Sequence, residues 1–376
     1  MRVLFYQWHS FMNRGVEQAF TQMGIEYDIL FFQQQDWEKD EGLGRAIEQK
    51  IEGKNYTMVF SINYAPIISR ICEENHILYV SWVYDAPIHI RNLSTLKNSY
   101  NRIFFFDRMQ AEHFKKDGVC AFHMPLAGDI ASFAGSANGY KADVSLVGKL
   151  YQTEYTYYQG PLSPMQRGYL DGILNAQMKV YGGYFLEELL DDKLLRELNQ
   201  SYLKASNGKV TITKEELEFM MACEITGRER YLSLALLSKY YDVEVYTTDK
   251  DERLKEVRFM GYADYYKKMP DVFKQSKVNL NISLKIIKSG IPLRVFDVLA
   301  SGGFLLTNFQ MEMPEYFTLG EDFVVYENIE DMYEKAKFYL SNDTQREAIA
   351  RHGQETIRKY YTFSQQLEKI LKEALA

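Results

Sequence analysis

Cysteine is scarce in this chain: three in 376 residues, Cys72, Cys120 and Cys223. An odd number, widely separated, excludes a disulfide framework, and none stands in metal-ligand spacing. The expectation is reduced core or surface thiols in a cytoplasmic protein. Long apolar runs are missing too. None approaches the ~20 residues that cross a bilayer, the run Met1–Tyr6 reads as a first strand and not as the apolar core of a signal segment, and no strongly basic amphipathic helix demands a membrane surface. Nor is there an excess of positive charge. Lys+Arg number 44 against 51 Asp+Glu, a formal net charge of −7, whereas general affinity for nucleic acid comes from many cationic phosphate contacts. Nucleic acid is therefore not an expected partner, although a local basic pocket for a diphosphate is compatible with this balance. Internal repeats and low-complexity tracts are absent as well.

What remains is a globular composition. A hydrophobic fraction of 46% with 15% aromatic residues excludes a largely disordered chain, and the length is natural for two domains. Short apolar runs alternate with helical patterns in the manner that builds parallel sheets. In the first part the strand candidates are Val3–Tyr6, Tyr27–Phe32, Met58–Ile62, Leu78–Val83, Arg102–Phe106 and Ala121–Met124, with helices at Asn13–Met23, Leu43–Glu52 and Met109–Lys116. The small-residue segment Ala127–Tyr140 reads as a linker. A second domain then opens with the strand Asp143–Lys149 and continues through a helical insertion over about 163–241. Strands at Val243–Thr248, Val278–Ile282, Phe304–Asn308 and Phe323–Tyr326 complete its sheet, and helices at Ile329–Leu340, Thr344–Tyr360 and Ser364–Leu375 close the chain. The expected division is 1–138, 139–360 and a final helix over 361–376 that crosses back to the first domain.

The densest signal is Asn279–Phe309, where an apolar strand runs into a small-residue turn, a helix of about Pro292–Ser301, a glycine pair and another apolar strand. Proline at the start of that helix and Gly302-Gly303 past its end fit helix start and stop preferences. Ser289 and Gly290 then precede the N-terminus, where backbone N–H groups and the positive dipole end favour an anion. Lys288 and Arg294 add charge there. Arg294, Asp297 and Ser301 recur on one stripe of the helix. With a diphosphate at the N-terminus, Asp297 would stand about 5–8 Å away, where a ribose would lie. The competing reading is an exposed Arg294–Asp297 ion pair, worth only about 0.3–0.5 kcal/mol.

These residues carry a family resemblance. Gly261 through Pro270, Asn279–Asn281, Ser289-Gly290-Ile291-Pro292-Leu293-Arg294-Val295-Phe296-Asp297 and Gly302-Gly303-Phe304 are similar to the C-terminal domain of CgeB-like, spore-protein-type group-1 glycosyltransferases, and Arg167–Gly172 with Gln177 resembles the helical segment of their relatives. The resemblance implies an α/β architecture of the GT-B type, two Rossmann-like doubly wound domains around a cleft, with the donor nucleotide on the C-terminal domain. In the broader retaining group a pair of glutamates marks the donor site. Here Ser289 and Asp297 stand at those positions, so the second carboxylate is present and the first is absent.

Ligands of doubly wound sheets bind beyond the carboxyl ends of strands, which nominates further residues. Gly148 and Lys149 end one strand and could meet phosphates, Tyr246 follows the next, and Gly261-Tyr262 stand where the resemblance puts the nucleotide base. In the first domain, Gln7-Trp8-His9-Ser10 and Tyr84-Asp85-Ala86-Pro87 with His89 follow strands. His9 and Asp85 are the candidates for a general base on an acceptor hydroxyl. The expected reaction is metal-independent transfer of a sugar from a nucleotide diphosphate sugar, with a UDP-linked donor as co-substrate and no further cofactor, to a glycan, protein or small-molecule acceptor. Helix-terminal N–H groups with Arg294, Lys288 and Lys149 would offset the charge on the leaving diphosphate. A sugar-nucleotide epimerase or a phosphorylase keeps the fold with other chemistry, and a non-catalytic sugar-nucleotide or protein-binding module is the non-enzymatic alternative. On this reading Asp297→Ala and Arg294→Ala each weaken donor binding in titration calorimetry while the thermal transition stays nearly unchanged; unaltered affinity in both removes the cradle assignment.

Overall fold

In the computed structural model, which describes residues 1–88, 90–134 and 139–376, the chain forms two six-stranded sheets, both parallel throughout. The first holds β1 (Arg2–Gln7), β2 (Glu26–Phe31), β3 (Met58–Ile62), β4 (Leu78–Val83), β5 (Asn101–Phe105) and β6 (Ala121–His123) in the order β2-β1-β3-β4-β5-β6. The second holds β7 (Ala142–Val147), β8 (Val243–Tyr246), β9 (Arg258–Phe259), β10 (Ser276–Asn281), β11 (Leu305–Asn308) and β12 (Val324–Tyr326) in the order β12-β11-β10-β7-β8-β9. Central strands such as β1 and β3 are buried on both faces, which is why they read as unbroken apolar runs and not as alternating ones. Register is fixed by pairs such as Val3 with Met58 and Val144 with Val278.

The crossovers are helical. Around the first sheet lie α1 (Asn13–Gln22), α2 (Glu41–Ile51), α3 (Pro66–Asn75) and α4 (Arg108–Lys116). Asp40 and Asp107 cap α2 and α4 by accepting from the amides of Leu43 and Gln110, each satisfying an otherwise orphaned first-turn donor. The insertion comprises α5 (Tyr155–Gln159), α6 (Pro164–Met178), α7 (Leu186–Leu189), α8 (Asp192–Ala205) and α9 (Lys214–Leu237). Ser163 with Gln166 and Thr213 with Glu216 form capping boxes that start α6 and α9. It packs an apolar core of its own, with Leu170, Leu174, Leu198, Tyr202 and Met221 among its buried members. The remaining helices are α10 (Met269–Gln275), α11 (Leu293–Ser301), α12 (Met313–Tyr316), α13 (Ile329–Leu340), α14 (Asp343–Tyr360) and α15 (Phe363–Ala374).

Helices α3, α10 and α12 and the two-residue strand β9 have no counterpart in the sequence expectation, and the insertion opens at α5, earlier than 163. In α3 the run Pro66-Ile67-Ile68-Ser69-Arg70-Ile71-Cys72 is buried almost throughout, and a fully buried run carries no periodicity to separate helix from strand. Cys72 and Cys223 are buried free thiols and Cys120 is a partly buried one; burial pushes the Cys223 thiol up to about 11 and the Cys72 thiol further. No described helix is long and apolar enough to cross a membrane.

By compactness the chain divides into unit 1, residues 1–133, 289–300 and 355–376, and unit 2, residues 134–288 and 301–354. The expected boundary at 138 lies outside the described residues. Two features differ from a simple N- and C-terminal split. Most of α11 belongs with unit 1, where Gly128 leaves room for it: a Cβ on Gly128 would lie 3.2 Å from the Ala300 Cβ and 3.2 Å from the Phe296 carbonyl. The chain also returns to unit 1 within α14, and Thr362, which with Gln365 forms the capping box of α15, bridges to Gly128. Helix α15 then seats Phe363 against α1 and β4, its ring 5.9 Å from that of Trp82 and so close to Gly15 that a Cβ there would meet it at 2.4 Å. Phe363→Ala is expected to destabilise unit 1 by about 3–5 kcal/mol through the cavity left behind, read as a lowered urea midpoint; a loss below about 1 kcal/mol would show that α15 is dispensable for it.

Candidate functional site

The strand order of unit 2 reverses between β7 and β10, and in a doubly wound sheet the ligand crevice lies at the carboxyl ends of the two strands that flank such a reversal. After β7 the chain turns through Gly148, whose φ of 148° suits glycine, to Tyr151, a non-glycine residue at φ 55°. Leu150 donates its amide to Asp249 at 2.7 Å. Behind the turn, Gly227 of α9 lets the backbones meet, since a Cβ there would come within 2.6 Å of the Tyr151 carbonyl. Three residues on, Arg230 spans the reversal. Its guanidinium donates to the carbonyls of Lys149, after β7, and Ile282, after β10, with the Tyr151 ring 4.9 Å away.

Lys285 follows β10 on the same side. Its backbone amide is held by Thr226 at 3.0 Å, the side chain is 9% exposed, and its Nζ stands 4.3 Å from the centroid of the Tyr181 ring. Among the described residues that Nζ has no hydrogen-bond acceptor and no ion-pair partner. Burial therefore lowers the Lys285 pKa, opposed only by the more distant charge of Glu229. Glu229 is itself buried and spends one carboxylate oxygen on the hydroxyls of Tyr181, at 2.7 Å, and Tyr326, at 3.2 Å. Arg230 and Lys285 bring two buried cations to this end of the sheet beside the buried carboxylate of Glu229, and among the described residues Lys285 has no ion-pair partner. Such a vacancy is what a bound anion fills.

The residues nominated from sequence are distributed differently. Ser289 and Gly290 do present their N–H groups to an anion, but the anion is protein: the carboxylate of Asp107, 1% exposed, accepts from Ser289 N at 3.0 Å, Ser289 Oγ at 3.0 Å and Gly290 N at 3.2 Å. Gly290 is needed because a Cβ would come within 2.8 Å of the Asp107 Cα. The small residues thus admit backbone where the sequence pointed to a phosphate. Lys288 is paired with Glu187. Arg294 and Asp297 form the expected pair, 3.1 Å apart, yet Asp297 is 2% exposed, so the exposed-pair reading fails. Lys149 is exposed, and the hydroxyl of buried Tyr246 donates to Glu244 at 2.6 Å. Burial and that carboxylate both raise the Tyr246 phenol. Tyr262 is 67% exposed after Gly261, at φ 75°. Asn279 and Asn281 are structural, bonded to Phe273, Phe304 and Thr307.

The two base candidates of unit 1 keep different company. Asp85 accepts from Asn63 Nδ2 at 2.6 Å, whereas the exposed His9 rests its ring on Phe31, centroids 5.2 Å apart. His89 lies outside the described residues. Sequence reasoning missed Arg230, Lys285, Asp107 and Asn63. Arg228-Glu229-Arg230 reads as a solvated charge run inside a helix, and nothing in Leu284-Lys285-Ile286-Ile287-Lys288 says which lysine meets a carboxylate.

Residues 222–372, less than half of the chain, match the family model described as glycosyl transferase-like. Solved structures match over nearly the whole length. HepE of Anabaena, in complex with UDP and glucose, is 11% identical with a TM-score of 0.55, covering 99% of each chain. A glycosyltransferase of Rickettsia africae gives 10% and 0.56 over 99% of this chain and 97% of its own. Sucrose-phosphate synthase of Thermosynechococcus elongatus gives 7% and 0.58 over 100% and 99%. The fold is GT-B. None of the curated proteins matches in sequence. Within this GT-B chain the order β9-β8-β7-β10-β11-β12 is that of a Rossmann sheet, and the cations Arg230 and Lys285 stand at its reversal.

The burial of Asp297 changes what its partner's removal should do. Arg294→Ala leaves a buried carboxylate without its cation and is expected to cost about 1–3 kcal/mol of stability, while Asp297→Asn in the same background recovers most of it. A loss under 0.5 kcal/mol, the value for an exposed pair, would contradict the burial seen here.

Proposed function

We propose that the chain is a glycosyltransferase that moves a sugar from a nucleoside diphosphate sugar to an acceptor hydroxyl, and that Lys285 with Arg230 receives the donor's diphosphate. The observation that carries this is the ammonium of Lys285, buried at the strand reversal of a Rossmann-type sheet with no ion-pair partner among the described residues. A protein keeps an unneutralised buried cation at a cost on the order of several kcal/mol. Such costs are retained where a ligand needs them. The leaving group of sugar transfer is an anion, so fixed positive charge stabilises the departing diphosphate as the glycosidic carbon loses it. This needs no metal cofactor. The glycosyl transferase-like match over 222–372 supports the reaction class, and the UDP and glucose held by HepE support a UDP-linked donor. The finer assignment to the CgeB-like, spore-protein-type subgroup rests on the Ser289–Asp297 and Gly302–Phe304 motifs, and cytoplasmic residence rests on the cysteine usage. The acceptor stays open among a glycan, a protein and a small molecule.

Lys285 connects stability with function. Because its folded-state pKa is lowered, the unfolded chain binds the proton more tightly, so stability rises with pH from the lowered value up to the ordinary lysine value of 10.5. Lys285→Met is expected to raise the thermal midpoint at pH 7, to abolish that rise with pH, and to weaken UDP binding at least tenfold by calorimetry. A variant that is less stable and binds UDP as tightly as the parent would contradict the assignment. Release of UDP from one member of a panel of UDP-sugars by the unmodified chain tests the reaction itself.

A further inference from the structure

The amino-terminal end of the second sheet, opposite the strand reversal, holds a cavity of about 240 Å³. It lies where β10 begins, at the glycine pair Gly302-Gly303 ahead of β11, and along one face of α14. Every residue that lines it belongs to unit 2. Lys274, Lys277, Arg346 and Arg351 converge there against the carboxylate of Glu347. Lys277 is paired with Asp143 at 2.8 Å, and Lys274 donates to the carbonyl of Ala134, while Arg351 is exposed. Strand β10 separates this end from Lys285. Its six residues, Ser276–Asn281, span roughly 20 Å at ~3.3 Å each.

Arg346 is the residue that packing alone does not explain. Its side chain is 1% exposed. Nη1 is engaged, donating to the Tyr339 carbonyl at 2.7 Å and pairing with Asp343 Oδ1 at 2.6 Å. Nε and Nη2 are buried and have no acceptor among the described residues. Those two nitrogens form the side-on fork of a guanidinium, the edge that grips two oxygens of a carboxylate or a phosphate at once. The same chain shows that use elsewhere: Arg253 spends the same two atoms on Asp251, Nε at 2.9 Å and Nη2 at 2.6 Å. Buried polar groups are hydrogen-bonded as a rule, so a buried fork without a protein acceptor points to another partner. Water satisfies isolated groups of this kind, but it gives no reason for the cations gathered around this one. Tyr140 covers the guanidinium, its ring centroid 5.0 Å from Cζ. That ring is 43% exposed and its hydroxyl is held by Glu347 at 3.2 Å, so a turn of one surface side chain uncovers the fork.

We propose that this cavity binds a small phosphate, either inorganic phosphate or the monoester of a few-carbon alcohol, on the Nε–Nη2 edge of Arg346 with Arg351 and Lys277 beside it. Volume and charge select this class. The cavity is smaller than the roughly 300–1,000 Å³ of sites for larger organic ligands and equals about eight waters at ~30 Å³ each. A nucleotide sugar is therefore excluded and a phosphate is admitted. Several cations around one fork favour a dianion over a single carboxylate. A ligand held there joins α14 to the start of β10, so its binding stabilises unit 2. The site shares no residue with Arg230 or Lys285 and stands whether or not the donor reading does.

Proton–nitrogen NMR of the full chain tests this, with the Nε–H resonance of Arg346 assigned by its loss in Arg346→Lys. Inorganic phosphate, glycerol phosphate and succinate are titrated at constant ionic strength, with excess UDP present to occupy the donor end. One of the two phosphates is expected to move the Arg346 resonance downfield and saturably, as a charge-assisted hydrogen bond forms, and to raise the thermal midpoint over the same concentration range. Which of the two binds tighter separates the free ion from the ester. Arg351→Gln, a change at an exposed residue, should weaken that response at least threefold, whereas Lys285→Met should alter it less than twofold. If Arg346→Lys does not fold, the thermal response of Arg351→Gln decides alone. An Arg346 resonance unmoved by either phosphate means that water alone fills the cavity and overturns the proposal. So does a response equal for succinate, or one lost in Lys285→Met and kept in Arg351→Gln.

Discussion

The carboxylate of Asp107 accepts three hydrogen bonds from Ser289 and Gly290, in the turn before α11, while capping α4 with a fourth. Each of those donors is buried or nearly so, and a buried N–H left unmade costs about 1–3 kcal/mol. The contact therefore decides where α11 belongs. It ties the helix to unit 1, fixes the approach that requires Gly290, and removes the Ser289 and Gly290 amides from the pool of groups available to a ligand. Ser289 and Gly290, ahead of Ile291-Pro292 and the first helical residue Leu293, do meet an anion. It comes from the chain itself, which moves the search for the phosphate-binding charge elsewhere.

Each sheet has one side-chain N–H group laid across its strand reversal. In unit 2 it is the guanidinium of Arg230, reaching the carbonyls after β7 and β10. In unit 1 it is the indole of Trp8, reaching the carbonyl that ends β3. A reversal leaves the two flanking connections running apart, so the carbonyls there lack the neighbouring strand's partners. A long side chain can supply the donor and at the same time floor the crevice. The chemistry differs with the residue: positive charge in one unit, a flat aromatic surface in the other. The positive charge is the physical basis for the proposal that the anionic donor binds at the reversal of unit 2.

The sheets were legible in the sequence because buried parallel strands are continuous apolar runs, and most helices were legible because caps and periodicity agree. The final helix, expected at 364–375, spans Phe363–Ala374, within a residue at each end. The element Asn279–Phe309 was also correct as strand, helix and strand. The partner of Ser289 and Gly290 was not legible, because small residues ahead of a helix look the same whether a phosphate or a distant aspartate approaches them, and Asp107 lies 182 residues from Ser289. Lys285 was invisible for a related reason. Whether a lysine is neutralised depends on Glu187 reaching Lys288 and on no carboxylate among the described residues pairing with Lys285, facts of the folded chain alone.

The central claim is that the uncompensated ammonium of Lys285 is the donor's anion site, and its own titration tests this most directly. The Lys285 side chain can be followed by carbon-13 NMR of lysine Cε, assigned by comparison with Lys285→Met, as pH is raised with and without UDP. Free, it should lose its proton below the ordinary lysine value, as burial demands. With UDP bound it should lose it at distinctly higher pH, because an adjacent diphosphate favours the charged form. A midpoint that does not move on saturation with UDP would contradict the account.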